Sequence, residues 1–231
     1  MIETAGGFSE TARRISDTLR HHYSTVEFIV PNYALSAGTI LVMSGDAIHM
    51  DYYSILGPID PQIENKDKKL IPALGYLVKY NELLKKANKG KITHAELSIL
   101  MEFDQGQLYS YEQARDLSIS LLVEWLCKYK WKNWNTTETR ARPVTDKMKR
   151  DRAKEIAKKL NDIKRWNSHG MGINMRQLRD ELKLKIDDFG QPKSRRDAIR
   201  GYHGLLIDYM SKMRHLSVVH TKSGFSPLIA G

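Results

Sequence analysis

Apolar positions in the first ninety residues fall in short blocks broken by glycine, proline or charge. Phe8, Ala12, Ile15 and Leu19 recur at three- or four-residue spacing, which places them on one helical face behind Ser9 as a capping residue. Residues 1–7 read as a strand end running into a glycine turn, and Val26–Val30 (VEFIV) is a compact strand closed by Pro31. Ser36–Ser44 (SAGTILVMS) reads as a short apolar helix broken by Gly45-Asp46, and Ala47–Met50 as a second short strand. Tyr52–Ile63 holds Gly57, Pro58 and Pro61 and predicts an ordered loop or edge strand. This alternation of strand and helix predicts an α/β fold with parallel pairing.

The pattern then changes. A charged loop (ENKDKK, 64–69) precedes a helical stretch over Leu70–Lys89. Thr93 with Glu96 three residues on is a capping box, and Tyr109–Lys130 carries Leu117, Leu121, Leu122 and Trp125 on a long amphipathic helix. Pro143 marks a boundary. Thr145–Lys164, Asn174–Leu184 and residues 199–213 read as further helices, with a turn at Asp187-Asp188-Phe189-Gly190. The predicted organisation is an α/β core over 1–90, a helical extension over 91–142 and a basic helical region over 143–231.

Charge sharpens this division. The chain has 231 residues and a formal net charge of +10. Residues 1–90 hold 10 Lys/Arg against 10 Asp/Glu, so the excess lies wholly in the second part. Such a basic half attracts acidic protein, anionic lipid or nucleic acid, or simply solvates a helical surface. One cysteine, Cys127, excludes an internal disulfide and a cysteine-rich zinc site, and fits a reducing, cytoplasmic setting. No apolar run reaches the roughly 20 residues of a membrane helix. The first residues lack the basic and apolar regions of a signal peptide. No metal cluster, cofactor motif or nucleotide loop stands out.

Ser36 is the sharpest chemical candidate. It lies between a strand-loop and a helix, with small neighbours in Ala34, Ala37 and Gly38 that let another backbone come close. At a helix N-terminus its oxygen meets free N–H groups, which suits an acyl-transfer nucleophile as well as a plain N-cap. Ala34 stands where a Gly-x-Ser-x-Gly elbow would have its first glycine. Ala5-Gly6-Gly7 can aim amides at a developing oxyanion or serve as a plain turn. The stiff Gly57-Pro58-Ile59-Asp60-Pro61-Gln62 loop can shape a substrate groove. His49, after a strand, reads as a structural histidine or an alternative base. His169, beside Ser168, reads as structural or partner-binding, because triads are set by space and not by sequence adjacency.

The series ETAGG, ALSAGTILVMSGDAIHMD and SILGPIDPQI, in that order and spacing over roughly residues 1–130, resembles the serine dehydrogenase proteinase family, related to the Clp peptidase and signal peptide peptidase A. Trp166-Asn167-Ser168-His169-Gly170 is similar in style to longer bacterial members. The resemblance implies a truncated ClpP/crotonase-like spiral of parallel strands and helices, followed by a mainly α-helical C-terminal part. It also implies a serine peptidase acting on peptide or protein substrates, most often as a homo-oligomer. Carried over, Ser36 is the nucleophile and the amides of Gly7 and Ala37 form the oxyanion hole. Gly57, Pro58 and Asp60 line the substrate groove. Where the Clp peptidase has a histidine this chain has none near Asp60, so a Ser–Lys dyad is expected, with Lys69 as base and Lys79, Lys68 and His49 as alternatives. A lysine base must be lowered by about two to three units from ~10.4 by burial or a neighbouring cation.

Members of the family carry strands upstream of the glycine turn, whereas Met1 lies five residues before Gly6. A fragment, a late start or pairing with another polypeptide would account for this, and Val26–Val30 would then expose an unpaired edge. Three other functions remain open. One is an inactive ClpP-like scaffold or binding module. Another is a nucleic-acid contact through residues 140–200, which hold 19 Lys/Arg against 9 Asp/Glu but no recognised nucleic-acid-binding motif. The last is an acyl-CoA enzyme on the same fold, which needs no serine at this position.

Overall fold

A computed structural model describes residues 1–64, 70–137 and 141–229, in two compact units that divide after Asp187. The first unit runs α1 (Ser9–His22), β1 (Glu27–Ile29), β2 (Tyr33–Ala34), α2 (Ala37–Val42), β3 (Ala47–Met50), β4 (Ile55–Leu56), β5 (Gln62–Glu64) and β6 (Leu70–Pro72). It continues with α3 (Ala73–Asn88), α4 (His94–Met101), α5 (Gln105–Trp125), a π-helical turn over Leu126–Lys130, α6 (Asp146–Leu160), α7 (Ile163–Trp166), β7 (Ile173–Asn174) and α8 (Met175–Asp180). A short strand β8 (Asp187–Asp188) falls at the division.

The expected mixed α/β character and parallel pairing are present. β1 pairs with β3 in parallel, with Phe28 opposite Ile48, and β2 pairs with β4 in parallel, with Ala34 opposite Leu56. The chain's own first residues join this layer: the Ile2 N–H donates to the Ile29 carbonyl at 2.9 Å and Thr4 bridges Ala34. The β1 edge predicted to be open therefore has β3 on one side and residue 2 on the other. Fully buried Val30, Ile48 and Met50 from this layer share one core with Val42 of α2, with Leu121 and Trp125 of α5 and with Ile156 and Leu160 of α6. Removing a side chain such as Ile156 to alanine would cost about 2–5 kcal/mol. The helices of the basic region thus complete the N-terminal core.

Several element bounds differ from the sequence pattern for identifiable reasons. Leu70–Pro72 is a strand paired with β5, Ile63 opposite Ile71, and the helix begins only after Pro72, which suits a helix boundary. The long helix expected to Lys130 ends at Trp125 and widens into the π-turn. The basic helix over 145–164 is two helices, because Asp162 caps a new turn through the Lys164 and Arg165 amides. Only Met175–Asp180 of the 174–184 stretch is helical, and its N-terminus is closed by an Asn174–Gln177 capping box. The Thr93–Glu96 box forms as predicted.

The second unit holds α9 (Lys193–Lys212) and an antiparallel hairpin of β9 (His215–Thr221) and β10 (Gly224–Ile229). The hairpin was not anticipated. Rings seat the helix on it: Tyr202 stacks on His220 at 5.8 Å and Tyr209 meets Phe225 edge-on at 5.6 Å. Among the described residues no helix is long and apolar enough to cross a membrane.

Candidate active site

The turn that carries Ser36 is built by two glycines and a threonine. Thr4 runs beside β2: its N–H donates to the Tyr33 carbonyl at 3.1 Å, and its own carbonyl accepts from the Leu35 N–H at 3.0 Å. The chain then reverses at Gly6, whose N–H donates to Thr4 Oγ1 at 3.1 Å and whose φ is +112°. A Cβ on Gly6 would lie 2.8 Å from Ser36 Cβ and 2.9 Å from the Leu35 carbonyl oxygen, and one on Gly38 would lie 2.4 Å from Thr4 Cγ2. Glycine at both positions lets the opening segment lie directly on the Ser36 turn.

Ser36 sits at φ 52°, ψ −119°, a conformation non-glycine residues rarely adopt and that costs on the order of 1–3 kcal/mol. It occupies the N-cap position of α2, yet its hydroxyl makes no capping hydrogen bond. The plain N-cap role considered for this serine is therefore unfilled. A strained serine between strand and helix is the geometry of a nucleophile elbow, reached here with alanine in place of the first glycine. Buried Thr39 Oγ1 fixes α2 to the next loop, lying 2.7 Å from the Ala34 carbonyl and accepting the Gly57 N–H at 2.9 Å.

That loop delivers Asp60. The Ile59 N–H donates to the Leu160 carbonyl and the Ala73 N–H to the Pro61 carbonyl, so residues 59–61 are tied to α6 on one side and α3 on the other. Asp60 is 2% exposed. Its Oδ1 lies 3.0 Å from His169 Nδ1, while its Oδ2 is buried with no partner among the described residues. The carboxylate thus has the imidazole as its side-chain partner.

His169 is held at both ends of its loop. Before it, Trp166 is buried and its Nε1–H donates to the Lys159 carbonyl at 2.7 Å, and Asn167 closes α7 in the left-handed conformation. After it, β7 pairs antiparallel with β4, Leu56 opposite Ile173, and a Cβ on Gly172 would meet Ile55 at 2.9 Å. This pairing brings residue 169 back to the strand that runs into the Gly57–Pro61 loop.

Ser36, Asp60 and His169 line one cavity of about 420 Å³. Gly7 and Phe8 of the opening turn, Ile40 of α2, Ile59, Ala114 and Leu117 line it too. Ala37, the first helical residue of α2, carries an N–H without an intrahelical acceptor. Other candidates lie apart. His49 Nε2 is 2.8 Å from Glu27 Oε2 and is not among the cavity-lining residues. Lys79 is exposed on α3, also outside the lining. Gly57 packs on Leu35, and Pro58 is buried beside it. Lys68 and Lys69 lie outside the described residues. The association missed from the sequence is His169 with Asp60, since their separation of 109 positions carries no local periodicity.

Residues 1–102 match the model of the ClpP-like SDH-type serine proteinase family, and the resemblance carried by the ETAGG, LSAGT and GPIDPQ segments holds over that span. An uncharacterized protein of Methanocaldococcus jannaschii is 41% identical over 63 residues, 27% of this chain and 22% of that protein. A second uncharacterized protein of the same organism is 29% identical over 187 residues, 81% of this chain and 51% of that protein. The aligned regions thus span about a fifth and about half of these relatives' lengths. No solved structure matches the chain.

Proposed function

We propose that the chain is a serine peptidase that works through Ser36, His169 and Asp60, with an acyl-enzyme intermediate. The observation that carries this reading is the 3.0 Å contact of His169 Nδ1 with buried Asp60 Oδ1, in a cavity shared with an uncapped and strained Ser36. The order Ser, Asp, His along the chain is the one found with nucleophile elbows in α/β-hydrolases.

Each group has a separate task. Asp60 accepts the Nδ1–H and so presents Nε2 as the basic nitrogen. Nε2 takes the Ser36 proton as Oγ bonds to the carbonyl carbon of the substrate, and the carbonyl π electrons move to its oxygen. The amides of Gly7 and Ala37 are the proposed donors to that oxyanion, aided by the positive end of α2. Collapse of the intermediate breaks the C–N bond, and the imidazolium gives its proton to the departing amine. Water, activated by His169, then releases the acid and restores Ser36. The Asp60 carboxylate also holds the imidazole in orientation and faces the positive charge it carries in both steps.

The expected Ser–Lys dyad gives way to this triad in the proposal, because among the described residues no lysine lines the cavity and a histidine does. Hydrolysis of a fluorogenic peptide tests the reading. Wild type should release product and accumulate an acyl-enzyme mapped to Ser36, and Ser36→Ala should do neither. Full activity in Ser36→Ala would overturn it.

A further inference from the structure

The cavity has a charge unlike that of the chain around it. The protein carries 37 Lys/Arg and a net charge of +10. Yet among the described residues the cavity is lined by two carboxylates, Asp60 and Glu10, and by no lysine or arginine. Asp60 is committed to His169. Glu10, in the exposed first turn of α1, is the remaining negative charge. Ile40, Ile59, Ala114 and Leu117 supply apolar lining beside the uncharged polar Ser9, Gln62 and Ser118, and Phe8, which also lines the cavity, is exposed.

From this arrangement we infer that the cavity selects peptides bearing a Lys or Arg side chain, whose methylene stem lies on Ile40, Ile59 and Leu117 while its cation faces the Glu10 carboxylate. Only a side chain with a long apolar stem and a charged end satisfies both walls at once. An alkyl chain of the same length would leave Glu10 unused, and an acidic one would meet two carboxylates. Arg13 and Arg14 follow Glu10 at three- and four-residue spacing on α1, but Arg13 pairs with Asp17 and neither arginine lines the cavity. The inference names the substrate class of the proposed peptidase and rests on Ser36 as its nucleophile.

Two peptide diphenyl phosphonates, identical except for an aminobutyl or a butyl side chain at the reactive residue, separate the inference from that premise. Serine Oγ displaces phenol from phosphorus, so the rate of mass gain at Ser36 reports recognition without turnover. The aminobutyl probe should label wild type about three- to fivefold faster than the butyl probe, as befits a partly solvated ion pair. The ratio should fall to about one in Glu10→Gln and below one in Glu10→Lys, and it should shrink with added salt. Equal rates in wild type, or a ratio that survives Glu10→Gln, would overturn the selectivity while leaving Ser36 as nucleophile. Absence of labelling by both probes and by a fluorophosphonate would overturn the peptidase reading and this inference with it.

Discussion

His169 Nδ1 and Asp60 Oδ1 meet at 3.0 Å although 109 positions separate them. The contact is made by two loops anchored on one strand. β4 leads into the Gly57–Pro61 loop that carries Asp60, and β7, paired antiparallel to β4, follows the loop that carries His169. A groove-shaping aspartate and a histidine of no assigned chemistry thereby become a pair in the cavity that Ser36 also lines.

Asp60→Asn would keep the side chain's size and bond length to His169. An amide nitrogen facing Nδ1, or an oxygen without charge, would weaken both the tautomer and the imidazolium. Acylation should fall about 10³-fold or more with the fold retained, read as kcat of peptide hydrolysis beside a circular dichroism spectrum. Activity within tenfold of wild type would remove Asp60 from the mechanism.

Gly38→Ala places a methyl 2.4 Å from Thr4 Cγ2. The helix itself favours alanine there, so the clash alone opposes the change. We expect a loss of about 1–3 kcal/mol in denaturant unfolding. Thr4→Ser removes the offending methyl and keeps the hydroxyl that accepts from Gly6. The double variant should therefore recover most of the loss, with a coupling of about 1–2 kcal/mol. Strict additivity would show that the opening segment does not rest on the Ser36 turn.

Asp46 links Arg20 of α1 to Lys132, two residues past the π-turn. Burial pushes its carboxyl up, but hydrogen bonds from Lys132 Nζ (2.5 Å), the Val26 N–H (2.9 Å) and Arg20 (2.7 Å) outweigh this and lower it to about 2. A depressed folded value means the unfolded chain binds the proton first as pH falls. This contribution, about 2 kcal/mol, is full above about pH 4 and is lost between about 4 and 2. Asp46→Asn should flatten the acid limb of unfolding free energy against pH by that amount. An unchanged slope would contradict the assignment.

The residues most open to sequence reading were those whose roles are local. The Thr93–Glu96 capping box, the strands at 27–29 and 47–50 and the short helix after Ser36 all follow from spacing within one or two turns. The small residues around Ser36 indicated a close backbone approach, and Gly6 and Gly38 make it with Thr4 and Leu35. The backbone of Ser36 itself was hidden, because its positive φ goes with a close approach of Gly6 from the opening segment, which no spacing within residues 33–39 records. His169 was hidden for a related reason: its place depends on the β4–β7 pairing, and two-residue strands leave almost no periodic trace. The C-terminal hairpin was missed because Leu216, Val219, Leu228 and Ile229 are exposed, so burial does not impose the usual alternation.

The choice between histidine and lysine as base bears most directly on the whole account. The measurement is the second-order rate constant for fluorophosphonate labelling of Ser36 in wild type, His169→Ala and Lys69→Ala, with the modified residue located by mass spectrometry. The triad predicts a loss of about 10³-fold or more in His169→Ala and a rate near wild type in Lys69→Ala. Unimpaired labelling of His169→Ala, with loss in Lys69→Ala, would contradict it.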